Sequence, residues 1–586
     1  MDFRRPIAAA LAASLGFIPA FAPTASQAAA LTSRTVAVAP QTTSQRCAHL
    51  TFLRLPHAEV TVAQLITSGS FLPPGSTVPI TGLPVFCRVA GISAPTTDSH
   101  INFEVWIPAG AEWNLKYQQV GNGGFAGTVP YSSLAAELAY GYAVAGTDDG
   151  HTGSSIDGTW ALGHPQKIID FGYRALKETT DKSRTIIEAF TGVRPHRSYF
   201  DGCSDGGREA LMEAERYPDD FDGIVAGSPA NFWSRLLTSA VWSEQALLDS
   251  PADFITPAQL PILTEAALAQ CSGKDGGLVS DGFLNDPRTC HFDASVVQCK
   301  TGQSSSTCLS AAQVAAANKL YSGVLAPQTH AILFPGLEPG SEAYPANWPA
   351  WITGATPGTS LAYYFGQQYF ANFIFDNPTW PITALNFTTD IARADSLAPV
   401  LNSTNPNLSR FIGHGGKLIQ YVGWADSAIP PKNDLNYYNS VLLTGYGVSP
   451  GGVAKLENSY RLYMVPGMSH CGGGPGPNEF GNAGLTVATS DADHNVVLAL
   501  DRWVEKGVAP GRIVATKYVA DNPAGPVAFQ RPLCPYPESS RYEGGNPKYA
   551  SSFACVVNRP AYAADLVRAV EYLTRNYNVL FNPRGG

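Results

Sequence analysis

Charge is scarce in this chain and nowhere concentrated. Asp, Glu, Lys and Arg make up 15% of the 586 residues, the formal net charge is -9, and Lys and Arg form no run. Nucleic acid, which is held through clustered cations, is thereby excluded as a partner. Beyond the N-terminus no segment stays apolar for the roughly 18 residues that a spanning helix needs. Neither a Cys-x-x-Cys nor a His-x-x-x-His spacing occurs, so no zinc site is offered, and no block recurs at a fixed period. What the chain does have is 45% hydrophobic residues with 56 Gly and 45 Pro, the composition of a packed globular protein with many turns. Its length exceeds what one hydrophobic core organises, which implies a large domain plus an insertion or second domain.

Residues 1–28 read as a secretory signal peptide: Arg4 and Arg5, an apolar stretch over 7–21, then small residues through Ala28 and Ala29. The stretch is too short for an anchor and is broken by Pro19 and Pro23. A mature protein that is soluble and secreted or periplasmic is expected. Export makes the cysteines legible, since an oxidising compartment lets an even set pair. There are ten. Sequence neighbours suggest Cys47 with Cys87, Cys271 with Cys290, Cys299 with Cys308, and Cys534 with Cys555, leaving Cys203 and Cys471.

Strand-like runs at 101–107, 117–120, 142–146, 198–200 and 221–226 alternate with helical spacing at 174–191 and 208–217. Such alternation writes a mainly parallel sheet with crossover helices. The rhythm fails after Pro229 and returns at 417–424 and 460–465, with a last helix at 494–506. The middle is therefore an insertion. It carries four cysteines, a Gly/Asp-rich loop at 274–287 and a run of aromatics from Tyr344 to Trp380.

Gly202-Cys203-Ser204-Asp205-Gly206 is a G-x-S-x-G between a strand and a helix, the context a nucleophile elbow requires. A serine hydroxyl needs a base within hydrogen-bond reach and an acid to orient that base. His470, in Gly467-Met468-Ser469-His470-Cys471, follows the last strand directly; Asp426 follows the strand before it. His494 opens a helix and reads as a surface residue. The alternatives are a turn or cap role for Asp426 and a structural role for His470. The two leftover cysteines flank these positions, Cys203 before Ser204 and Cys471 after His470. Pairing them would staple nucleophile to base, with roughly 5 kcal/mol from loop closure in the chain-entropy model; two buried thiols are the alternative. For the oxyanion, the expected donors are the backbone N–H groups of Asp205 and Gly124, the latter in the Gly-rich turn after an early strand.

At these residues the chain resembles the tannase and feruloyl esterase family, which includes mono(2-hydroxyethyl) terephthalate hydrolases. The matching segments are Gly202 to Glu209, Tyr217 to Ala230, Gly423-Trp424-Ala425-Asp426 and Val465 to Pro475. The resemblance covers essentially the whole mature chain. It implies an α/β-hydrolase core (29–230 and 412–586) with an inserted lid (231–411), hydrolysis of esters of aromatic acids, and the Cys203 to Cys471 bridge. It also implies a lid calcium site, typically Cys-Asp-Ala-x-Asp-Gly-x-x-Asp-Gly. Here the first acidic ligand is Ser272 and two extra residues separate the later aspartates. Asp275 and Asp281, with the carbonyls of Val279 and Phe283, are the expected ligands if calcium is held; a metal-free turn braced by Cys271 and Cys290 is the alternative. Between Lys319 and Arg393 the lid has no Lys or Arg. A fixed guanidinium is the usual partner of a substrate carboxylate, so a neutral hydroxycinnamoyl or galloyl group is expected over a terephthalate monoester, unless Arg208 or another region supplies the cation. Readings of another class, a secreted serine peptidase or a non-catalytic binding protein on the same fold, are distinguished by amide substrates and by fluorophosphonate labelling.

Overall fold

Nine strands form one sheet in the order β1-β2-β3-β5-β4-β6-β7-β8-β9. They are β1 (Ala58–Ile66), β2 (Phe86–Ser93), β3 (Ile101–Pro108), β4 (Lys116–Val120), β5 (Ala143–Thr147), β6 (Arg197–Cys203), β7 (Gly223–Gly227), β8 (Lys417–Gly423) and β9 (Tyr460–Val465). The computed structural model describes residues 41–484 and 491–581. The signal peptide expected at 1–28 lies outside them.

From β5 through β9 every pairing is parallel, whereas β1, β2, β3 and β5 pair antiparallel. The strands expected from sequence are those of the parallel part together with β3, because strands buried on both faces read as apolar runs. Crossover helices cover both faces. On one side α1 (Ala175–Thr191) and α2 (Asp205–Arg216) join a core containing Ile186, Ile187, Leu211, Met212, Phe200 and Leu418. On the other side α5 (Val496–Lys506) sets Leu500 and Trp503 against Tyr199, Val225 and Ile419. Each fully buried Leu or Met contributes roughly 1.5–3 kcal/mol relative to exposure. Gly192 ends α1 in the left-handed conformation, φ +82°, its N–H donating to the Glu188 carbonyl.

Register brings the strand ends together. Val120 stands beside Asp201, Cys203 beside Gly227, Tyr421 beside Gly227 and Gly423 beside Val465. The loops leaving β4, β6, β8 and β9 therefore emerge along one edge, as ligand-binding loops do in parallel sheets.

The segment between β7 and β8 contributes no strand to this sheet. Its helices include α3 (Trp233–Leu248) and α4 (Leu361–Gln368). Most of the aromatic run fills its interior: Trp348, Tyr369 and Phe370 are fully buried, and Phe373 stacks on Phe125 of the loop after β4. This segment and the strands belong to one compact unit, Thr42–Gly586.

All five disulfides expected from sequence are formed, the Cys203 to Cys471 bridge among them, and no cysteine of the described residues is free. No helix of the described residues is long and apolar enough to cross a membrane.

Candidate active site

Ser204 sits at the turn from β6 into α2 with φ +67° and ψ -119°, a strained conformation for a residue with a side chain. The turn is possible because Gly202 and Gly206, two residues to either side, lack side chains. A Cβ on Gly206 would lie 2.8 Å from the Asn122 carbonyl oxygen, against which the loop after β4 is pressed. His470 Nε2 lies 2.9 Å from Ser204 Oγ, and His470 Nδ1 lies 2.9 Å from Asp426 Oδ2. The other oxygen of Asp426, Oδ1, accepts the N–H groups of Ala428 and Ile429, each at 2.9 Å. The carboxylate is buried and its orientation fully determined. The structure thus brings together the three side chains singled out in the sequence, each delivered by the end of a different strand. His494 instead lies against Asp491 at 2.9 Å, away from them.

Gly124 and Ser204 line the same pocket. Gly124 has φ +62°, and a Cβ there would meet the Ser155 carbonyl oxygen at 2.2 Å, so only glycine lets the turn lie this close. Asp205 opens α2, where N–H groups have no helix carbonyl to bond. The two backbone N–H groups expected to face an oxyanion are thus carried by the two segments that meet at Ser204.

The pocket encloses about 750 Å³ of space free of protein atoms, part of it open to solvent. Trp233, Leu237, Trp351 and Phe365 supply apolar walls, the last two stacked on each other from the insertion; hydroxyls of Ser239 and Ser243 are among its few polar groups. Among the described residues no charged side chain lines it. Trp351 also sets its edge against the His470 ring, centroids 5.2 Å apart. Sequence reading placed Trp351 in the aromatic run without separating it from the core-filling members; nothing in spacing alone distinguishes them. Arg208, considered as a carboxylate partner, is wholly buried, bonded to Asp205 and donating to the carbonyls of Phe171 and Gly172. It is unavailable to a ligand.

The calcium ligands expected in the lid loop do not fit that ion. Asp275 accepts the N–H groups of Gly277 and Asn285 at 3.1 and 2.6 Å, one on each oxygen. Asp281 accepts the Leu278 N–H at 3.2 Å and pairs at 2.9 Å with the buried guanidinium of Arg531. All four carboxylate oxygens are therefore engaged, and a fixed cation already stands on one of them. Val279 is at an exposed tip, while Phe283 is buried under Gly467 in the loop that carries His470. The one grouping of three acidic, His or Cys side chains among the described residues is Asp149, Asp205 and Glu209, beneath Ser204.

Three comparisons bear on this arrangement. Residues 87–556 match the family model for tannase and feruloyl esterase. An esterase of Xanthomonas campestris pv. campestris is 43% identical over 532 residues, 88% of this chain and 91% of its own. A probable feruloyl esterase B-2 of Aspergillus terreus is 32% identical over 480 residues, 80% and 86% of the two chains. Among solved structures, feruloyl esterase B from Aspergillus oryzae superposes with a TM-score of 0.79 at 29% identity, covering 88% of this chain and all of that one.

Proposed function

This chain belongs to the tannase and feruloyl esterase family of carboxylic ester hydrolases, and from that premise we propose that it is an exported serine esterase that cleaves esters of neutral aromatic acids through Ser204, His470 and Asp426. The observation that carries the reading is the Ser204–His470–Asp426 chain of contacts, 2.9 Å at each step, opening into an uncharged pocket.

Ser204 Oγ attacks the ester carbonyl carbon while His470 Nε2 takes its proton; Asp426 holds the imidazole by Nδ1 and stabilises the imidazolium. The oxyanion of the tetrahedral intermediate is met by the N–H groups of Gly124 and Asp205. Collapse expels the alcohol, protonated by His470, and leaves an acyl-Ser204. Water, deprotonated by His470, then attacks the acyl carbon and releases the acid.

A carboxylate carried by the acyl group would enter a pocket with no cation, at a cost of several kcal/mol. That favours hydroxycinnamoyl and galloyl esters over a terephthalate monoester. Of the two, hydroxycinnamoyl fits better, because galloyl brings three adjacent hydroxyls to walls that are mostly apolar. Export is supported by the five disulfides, which persist in oxidising compartments.

The test is a panel of methyl ferulate, methyl gallate, chlorogenic acid and mono(2-hydroxyethyl) terephthalate with wild type and Ser204→Ala. Ferulate is expected to exceed the terephthalate monoester in kcat/KM by at least about 100-fold, the equivalent of ~2.7 kcal/mol. Ser204→Ala is expected to abolish turnover with an unchanged melting temperature. A preference for the monoester would overturn the substrate assignment; activity in Ser204→Ala would overturn the nucleophile.

A further inference from the structure

Beneath Ser204, three carboxyl groups and one guanidinium are sealed from water. Asp149, Asp205, Arg208 and Glu209 are all without solvent exposure, and carboxyl oxygens of the three acids lie within 4.8 Å of one another. Arg208 bonds one Asp205 oxygen, which leaves Asp149 and Glu209 without a cation of their own. Their outer oxygens nevertheless do something specific, since both hold Asn122. The Asn122 backbone N–H donates to Glu209 Oε2 at 3.0 Å. Its side-chain amide donates to Asp149 Oδ2 at 3.0 Å and to the Thr147 carbonyl at 2.8 Å. The Asn122 carbonyl accepts the Gly206 N–H at 2.8 Å, closing the circuit onto α2.

Asn122 stands two residues before Gly124, the proposed oxyanion donor, and Gly206 stands one residue after Asp205, the other. Asn122 therefore joins the two segments that must present their N–H groups to one oxygen atom. Asp149 is itself held at φ +60°, its N–H donating to Thr147 Oγ1 at 3.1 Å. Such a backbone persists only where the surroundings impose it.

The other oxygens of the three acids, Asp149 Oδ1, Glu209 Oε1 and Asp205 Oδ2, have no donor among the described residues. Buried acceptors gathered this closely without a donor are costly, and a proton retained on Asp149 and shared with Glu209 supplies one. Burial first, then the charge and hydrogen bond of Glu209, push the Asp149 carboxyl well above its ordinary range.

We propose that Asp149 and Glu209 are positioning residues of the esterase: Asp149 shares a retained proton with a Glu209 side-chain oxygen, and the pair so formed fixes Asn122 and with it the spacing of the Gly124 and Asp205 N–H groups. This rests on the reading of Ser204 and the oxyanion donors given above. Neither residue touches substrate. The pair acts on the transition state alone, because the donors it places bond the oxyanion more strongly than the ground-state carbonyl.

The experiment compares Glu209→Leu, Glu209→Gln and Asp149→Asn with wild type on methyl ferulate, with active sites counted by fluorophosphonate titration and folding checked by thermal melting. Glu209→Leu releases Asn122, and kcat is expected to fall about 10- to 100-fold while KM stays within about threefold. Glutamine keeps an acceptor for the Asn122 N–H and its amide replaces the shared proton, so Glu209→Gln recovers most of that loss. Asp149→Asn does the same from the other side.

Wild-type kcat in Glu209→Leu, or Glu209→Gln as impaired as Glu209→Leu, would overturn the proposal. If Glu209→Leu does not fold, Asn122→Ala carries the test, with a fall in kcat expected and an unchanged kcat overturning it. A wild-type enzyme that fluorophosphonate does not label would instead strike the underlying reading of Ser204, a result distinct from any of these.

Discussion

Asp426 shows how much one side chain can be asked to do. With Oδ1 committed to two backbone N–H groups, only Oδ2 can face His470. In Asp426→Asn the amide nitrogen must take the Oδ2 position, since at Oδ1 it would meet two donors. It then donates to Nδ1, which places the imidazole proton on Nε2 and removes the base that Ser204 requires. We expect kcat at neutral pH to fall by about 10³- to 10⁴-fold with the melting temperature little changed; a loss below about tenfold would reduce Asp426 to a structural acid. The contact of Ser204, His470 and Asp426 was legible in the sequence because a G-x-S-x-G at one strand end made a histidine and an aspartate at later strand ends its candidate partners. Asn122, Asp149 and Glu209 were not. A glutamate on a helix reads as a solvated residue, and only its place four residues after Asp205, on the same helix face, hinted that two carboxyls would share one interior.

At the scale of elements, the buried parallel strands declared themselves as apolar runs, and α1 declared its end through Gly192. The strands β1 and β2, two later hairpins and the terminal helix Arg559–Leu580 went unassigned. β1 lies at the sheet's edge, where burial is partial and the period blurs; β2 is second in the sheet and alternates between buried and half-buried residues. The lid loop is a separate case. Its partner Arg531 belongs to the strand Val527–Leu533, some 250 residues away in sequence. Spacing within a loop cannot reveal a cation supplied from elsewhere. A resident calcium ion at about a thousandfold excess over its dissociation constant stabilises a fold by about 4 kcal/mol. Here, added calcium and a chelator are each expected to move the melting temperature by less than about 1 °C. Arg531→Met, by contrast, strands Asp281 without its cation and is expected to cost about 3–5 kcal/mol, with no rescue by calcium. A rise of several degrees with calcium in the wild type would show that the ion displaces the guanidinium.

For the whole molecule, buried acids tie stability to pH. Burial pushes Asp201, on β6, up to about 7, and burial together with the charge of Asp201 raises Glu137 well above its ordinary range. A carboxyl whose folded pKa exceeds its unfolded value contributes stability that is fully present below about pH 4 and is lost as pH rises through the folded value. The unfolding free energy from denaturant titration is therefore expected to decline from pH 5 to pH 8, and Asp201→Asn to make the decline shallower; an increase over that interval would contradict the assignment. The long stretch that gives the sheet no strand was readable as a break in rhythm, but its covalent closure has a further meaning. Because Cys203 and Cys471 are joined, everything from Ser204 to His470 is a ring. Peptide-bond cleavage anywhere in that ring would open it without parting the pieces, so Ser204 and His470 would remain on one covalent molecule, and only a reductant could set them apart.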